Sequence, residues 1–160
     1  MLRILFAGLS KINNLEILEG ESRNRLGIIS FIIHGAHYNL IVKILNDRFG
    51  IQTRGGCSCA GTYGHHLLRV SPSQSQKILN AIREGDLYSK PGWIRLSIHP
   101  TMTNAEITFI MDAIASTAAN FKTWMQDYLY DPERNEFCFK GLEPDGKNEI
   151  RDWFSVSMWK

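Results

Sequence analysis

Long apolar runs are missing from this 160-residue chain: none approaches the roughly 18 residues of a membrane-spanning helix. A charge excess is missing as well. The 18 basic and 16 acidic residues are interleaved and leave a formal net charge of +2, without the basic stripe that a nucleic acid or an anionic membrane surface asks for. No nucleic acid and no membrane is expected as a partner. Cysteine is scarce: the three present are an odd number, two of them one residue apart, which makes a poor disulfide framework and points to a reducing, cytoplasmic setting. The opening Met1 to Leu9 is too short and too soon polar for a signal peptide. No repeat or low-complexity segment interrupts the chain. What remains, 44% hydrophobic and 11% aromatic residues, is enough to bury the core of one domain.

The densest chemistry lies in Gly50 to Gly61, where Arg54-Gly55-Gly56-Cys57-Ser58-Cys59 joins an arginine, paired glycines and two thiols. Glycines permit positive φ and close backbone approach, so this stretch is read as a loop passing near a ligand or a second domain. A thiol beside Arg54 gains thiolate character, the form that attacks electrophiles or binds metals.

Around that loop, residues 2 to 9 read as the end of a helix whose packing partner is not evident, which suggests that an upstream portion is missing. Leu15 to Leu18 alternates as a short strand. Leu26 to His34 is a strand whose near-continuous apolar run predicts burial on both faces. Leu40, Ile41, Ile44, Leu45 and Phe49 form a helical stripe closed by Gly50. Ser71-Pro72-Ser73-Gln74 starts a helix from about 72 to 84, and Thr103-Asn104-Ala105-Glu106 is a second capping box. The stripe that follows runs from Ile107 through Trp124 and Met125 to Tyr128 and is read as core. Between these helices Trp93 to Ile98 alternates as a half-buried strand, which puts Trp93, Arg95 and Ser97 on one face and Ile94, Leu96 and Ile98 on the other. Phe137-Cys138-Phe139 is a candidate edge strand in which the phenylalanines shield the thiol, and Trp153, Phe154 and Trp159 are candidate anchors. The pattern predicts an α+β two-layer sandwich, a small mostly antiparallel sheet backed by helices.

From the residues alone, Cys59 is an incidental thiol as readily as a nucleophile, Cys57 lines the same loop, and Arg95 is either a surface ion-pair former or a carboxylate binder. Cys57, Cys59, His65 and His66 fit a zinc site poorly, because structural sites space their cysteines by about two to four residues and add a separated pair. His65 and His66 read instead as one packed and one solvated histidine.

Four elements in order carry a resemblance: Gly27-Ile28-Ile29-Ser30-Phe31, the helix start at Gly35 and His37, the Arg54 to Ala60 loop, and Trp93-Ile94-Arg95-Leu96-Ser97. Together they resemble the C-terminal domain of class V aminotransferases, the pyridoxal 5'-phosphate (PLP) family that includes cysteine desulfurases and selenocysteine lyases. The resemblance implies the small C-terminal domain of a fold-type I PLP enzyme over residues 1–130, with residues 131–160 an extension of unassigned role. It implies that Cys59 stands where desulfurases place the sulfur-accepting cysteine, that Arg95 stands where the family binds the substrate's α-carboxylate, and that Arg54 is the loop arginine opening the motif. A guanidinium suits the carboxylate role by its two parallel hydrogen bonds. The partners implied are an amino-acid substrate, the large PLP-bearing domain and a second copy in a homo-oligomer.

The sequence also departs from the family pattern. None of the eight lysines sits in the family's Schiff-base motif, so no PLP is expected on this chain alone and no activity is expected without the large domain. Cys57 and Ser58 stand where many desulfurases have histidine, and His99-Pro100 stands where the family has a Tyr-Asn type pair. Sulfur transfer and amino transfer both stay open, and so does a stand-alone, non-catalytic binding module with the same fold.

Overall fold

The computed structural model describes residues 1–57 and 61–141. The chain runs α1 (Leu2–Leu9), β1 (Leu15–Ile17), β2 (Ile28–Ile33), α2 (Tyr38–Phe49), β3 (Arg54–Gly56), α3 (Gly61–Leu67), α4 (Pro72–Arg83), β4 (Trp93–Ser97), α5 (Asn104–Trp124), a short 3-10 turn (Met125–Asp127), β5 (Tyr128–Asp131) and β6 (Glu136–Phe139). It is a small α+β domain, with a four-stranded antiparallel sheet in the order β1-β2-β4-β3 packed on helices and a separate β5-β6 hairpin.

Local signals account for the helix ends. His37 caps α2 through Nδ1, which accepts from the Asn39 N–H, and Gly50 closes it in the left-handed conformation. Complete capping boxes start α4 (Ser71 with Gln74) and α5 (Thr103 with Glu106). Each such cap contributes about 1 kcal/mol by satisfying otherwise unpaired N–H groups.

The core forms where α1, α2 and α5 meet one face of the sheet. Ile29, Phe31 and Ile33 of β2 and Ile94 and Leu96 of β4 point into it and meet Ile41, Ile44 and Leu45 of α2 and Ile107 and Ile114 of α5. The first helix is not left without a partner: Leu5, Phe6 and Leu9 are buried and α1 packs along α5. Burial of β2 on both faces does not hold either. Ile29, Phe31 and Ile33 are buried, whereas Ile28 keeps 43% of its surface exposed, because helices α1, α2 and α5 cover only one side of the sheet.

Three further expectations change. The long stripe ends with the helix at Trp124; Met125 is exposed in the following turn, and Tyr128 is buried as the first residue of β5 rather than as a helical position. The first part of the glycine loop is an edge strand, β3, held by β4. Cys138 is exposed, not shielded, because the strand period sends Phe137 inward and the thiol outward, opposite Leu129. Tyr128 and Phe137 bring the hairpin into the core, and Asn135 at its turn bonds the hydroxyls of both Tyr38 and Tyr130. Trp153, Phe154 and Trp159 lie outside the described residues.

Candidate functional site

The alternation of β4 decides what the open side of the sheet displays. With Ile94 and Leu96 committed to the core, Trp93, Arg95 and Ser97 face the other way. In register across three strands lie Ser30 of β2, Arg95 of β4 and Arg54 of β3. Trp93 is nonetheless buried, since α3 lies over it, with Gly64 against its ring. Arg95 is half-buried and Arg54 exposed.

Two glycines make β3 possible. A Cβ on Gly55 would come within 2.7 Å of Asn39 Oδ1 and 2.8 Å of the Tyr38 ring, so only glycine lets this strand pass the start of α2. Gly56 has φ 115°, a region closed to most side chains. The strand thus delivers Arg54 to a fixed place beside Arg95 and then turns away into Cys57.

Arg95 stands between two concavities. On one side is a groove of about 550 Å³ lined mainly by apolar groups, among them Trp93, Tyr63, Leu67 and Ile28, with Ser30, Glu19 and Arg25 at its margin. Leu26, Tyr63 and Ile28 are 81%, 56% and 43% exposed, an apolar rim of the kind that marks an interaction surface. On the other side is a polar pocket of about 250 Å³ formed by Gln52, Thr53, Arg54, Arg95 and Ser97. The Thr53 hydroxyl is buried without a hydrogen-bond partner among the described residues. Among the described residues neither arginine side chain makes an ion pair or a hydrogen bond, whereas Arg48, Arg69 and Arg134 each lie within ion-pair distance of a carboxylate.

Arg54 and Arg95 are therefore brought together. Cys59 lies outside the described residues. Cys57 is half-buried next to α3 and near Tyr38, whose phenol is pushed up chiefly by burial, with the Asn135 hydrogen bond acting against it and Cys57 adding to it. His65 is half-buried and shares a 3.2 Å hydrogen bond with Ser75, while His66 is exposed and stacks on Tyr63. Among the described residues no group of three His, Cys, Asp or Glu side chains is placed to hold a metal ion, and no helix is long and apolar enough to cross a membrane.

One further constellation has little signature in the sequence. His37 is packed by Tyr38, Tyr88, Phe137 and Tyr130, with ring centroids 4.4, 4.7, 5.3 and 6.0 Å away. Since Nδ1 accepts from Asn39, the neutral ring carries its proton on Nε2, which is buried without a partner at hydrogen-bond distance among the described residues. Burial pushes the imidazole below its usual 6.5, and the nearby Tyr88 backbone only partly offsets this. The aromatic run around Tyr128 and Phe137 was the only available signal, and it lies about as far from His37 in the chain as the domain allows.

The Gly27 to Phe31 strand, the β3 loop and the Arg95 strand all fall within the region that matches a known family. Residues 2–110 match the family model described as Aminotransferase class-V. No curated protein matches the chain. With more than half of its length matched, the chain belongs to the class V aminotransferase family.

Proposed function

We propose that this chain is the substrate-side C-terminal domain of a PLP-dependent class V enzyme, in the manner of the small domain of fold-type I enzymes, and that Arg95 anchors the substrate's α-carboxylate. One observation carries the reading: Arg95 sits mid-strand on the face of the sheet turned away from the core, half-buried, flanked by Ser30 and Arg54, and without a carboxylate partner among the described residues. A planar guanidinium so placed can offer two parallel hydrogen bonds to a carboxylate.

PLP chemistry needs a Schiff-base lysine and a phosphate cradle to hold and orient the cofactor. Among the described residues no lysine lines the groove or the arginine pocket. The residues here do not fit the cofactor, so the function assigned to them ends at holding the substrate's acid group. The apolar rim of Leu26, Tyr63 and Ile28 is the surface we assign to a PLP-bearing large domain, with a homo-oligomer completing the enzyme. Residues 1–130 carry the family's part, and 131–160 are an extension in whose described part Phe137 of β6 packs on His37 and Asn135 bonds Tyr38. Cys59, assigned by motif alone, is the sulfur acceptor if the enzyme is a cysteine desulfurase; in an aminotransferase or lyase it is dispensable.

Titration of the isotopically labelled chain with acetate, followed by NMR, tests the anchor. Saturable shifts should centre on Arg95, and Arg95→Gln should weaken binding at least tenfold, about 1.4 kcal/mol, with the fold intact by circular dichroism. Unchanged acetate binding in that variant would overturn the reading and leave a non-catalytic module of the same fold as its replacement. In the enzyme completed by a PLP-bearing domain, loss of cysteine-dependent sulfur release in Cys59→Ala separates desulfurase from transferase.

A further inference from the structure

Arg54 and Arg95 are direct cross-strand partners on one face of the sheet, an arrangement that costs stability because like charges placed opposite each other repel. Nothing described relieves it. Among the described residues the pocket they share contains no acidic group, and its other lining residues, Gln52, Thr53 and Ser97, are all polar.

We infer that this pocket takes a ligand with two negative charges: one carboxylate on Arg95 and a second oxyanionic group, a carboxylate or a phosphate, on Arg54. The inference rests on the reading of Arg95 as the carboxylate anchor and names the substrate class that reading leaves open. A monocarboxylate satisfies one guanidinium fork and leaves the other facing it uncompensated. A dianion balances both charges, and its remaining lone pairs meet the Ser97 hydroxyl and the Gln52 amide. The volume of about 250 Å³ suits a short diacid or a phosphate group. The body of a larger substrate would extend past Arg95 toward Trp93 and Tyr63 in the adjoining groove.

The test is NMR titration of the full chain with butyrate, succinate and inorganic phosphate at low ionic strength, in the wild type, Arg54→Gln, Arg54→Lys and Arg95→Gln. Succinate should bind at least tenfold more tightly than butyrate. In Arg54→Gln the two constants should converge, in Arg54→Lys part of the preference should survive, and the wild-type preference should shrink as salt screens the pair. Phosphate binding more tightly than succinate with the same dependence on Arg54 supports the dianion and assigns the compact group. Equal binding of butyrate and succinate, both lost in Arg95→Gln, overturns the dianion and keeps the single anchor. No saturable binding of any of the three overturns both. Melting temperature is the second readout: Arg54→Gln should melt no lower than the wild type without ligand and should lose the stabilisation by succinate, whereas a lower melt would make Arg54 a structural residue and overturn the inference.

Discussion

Gly92, just before β4, lies flat against Tyr38 at the start of α2: a Cβ at position 92 would stand 2.6 Å from Cε1 of that ring and 2.9 Å from the α-carbon of Gly56. Tyr38 cannot retreat, since it is buried and its hydroxyl is bonded by Asn135, and the Gly56 backbone belongs to β3. Gly92→Ala should therefore lower stability by about 1–3 kcal/mol, the usual cost of overpacking, and loosen β3 against β4. Chemical denaturation gives the first number, and amide exchange at Arg54 to Gly56 gives the second. A variant as stable as the wild type would show that the two segments do not touch.

His37 sets a pH dependence. Its imidazole is held below 6.5 by burial, so the native state binds fewer protons there than the unfolded chain. The stability associated with a neutral His37 is fully present above about pH 6.5 and is lost as the pH falls below that value toward the lower native pKa. Asparagine also caps helices, so His37→Asn removes the titration and keeps a cap. The comparison is of slopes: between about pH 7.5 and 5.5 the wild-type melting temperature should fall further than that of the variant. Parallel curves would refute the assignment.

Exposure ranks the two described thiols. Cys138 is exposed and Cys57 half-buried, so in a Cys59→Ser background a neutral alkylating reagent should modify Cys138 first. Mass spectrometry of partially labelled protein reads the order directly, and faster labelling of Cys57 would contradict the outward orientation of Cys138 on β6.

Much of the scaffold was legible because its signals are local. The boxes at Ser71 and Thr103, the glycine stop at Gly50 and the alternation that turns Arg95 from the core each act over a few residues. The one-sided burial of β2 was not legible: an unbroken apolar run looks the same whether helices cover one face of the sheet or two. The strand character of β3 was hidden for another reason, since three residues with two glycines carry no alternation to read. For the candidate site, the orientation of Arg95 could be read from its own strand, but its pairing with Arg54 depends on a register made only by folding. The packing around His37 is harder still, because Tyr88, Tyr130 and Phe137 reach it from three separate segments.

Among the described residues one edge of the sheet is β3, and an unpaired edge invites another strand to add to it. This one is a poor template. It is three residues long, carries a charge at its first position and, at its last, Gly56 with a φ of 115°, far from the extended backbone a neighbouring strand would need. The short stretch that presents Arg54 to a ligand thereby also guards this edge of the sheet against growth.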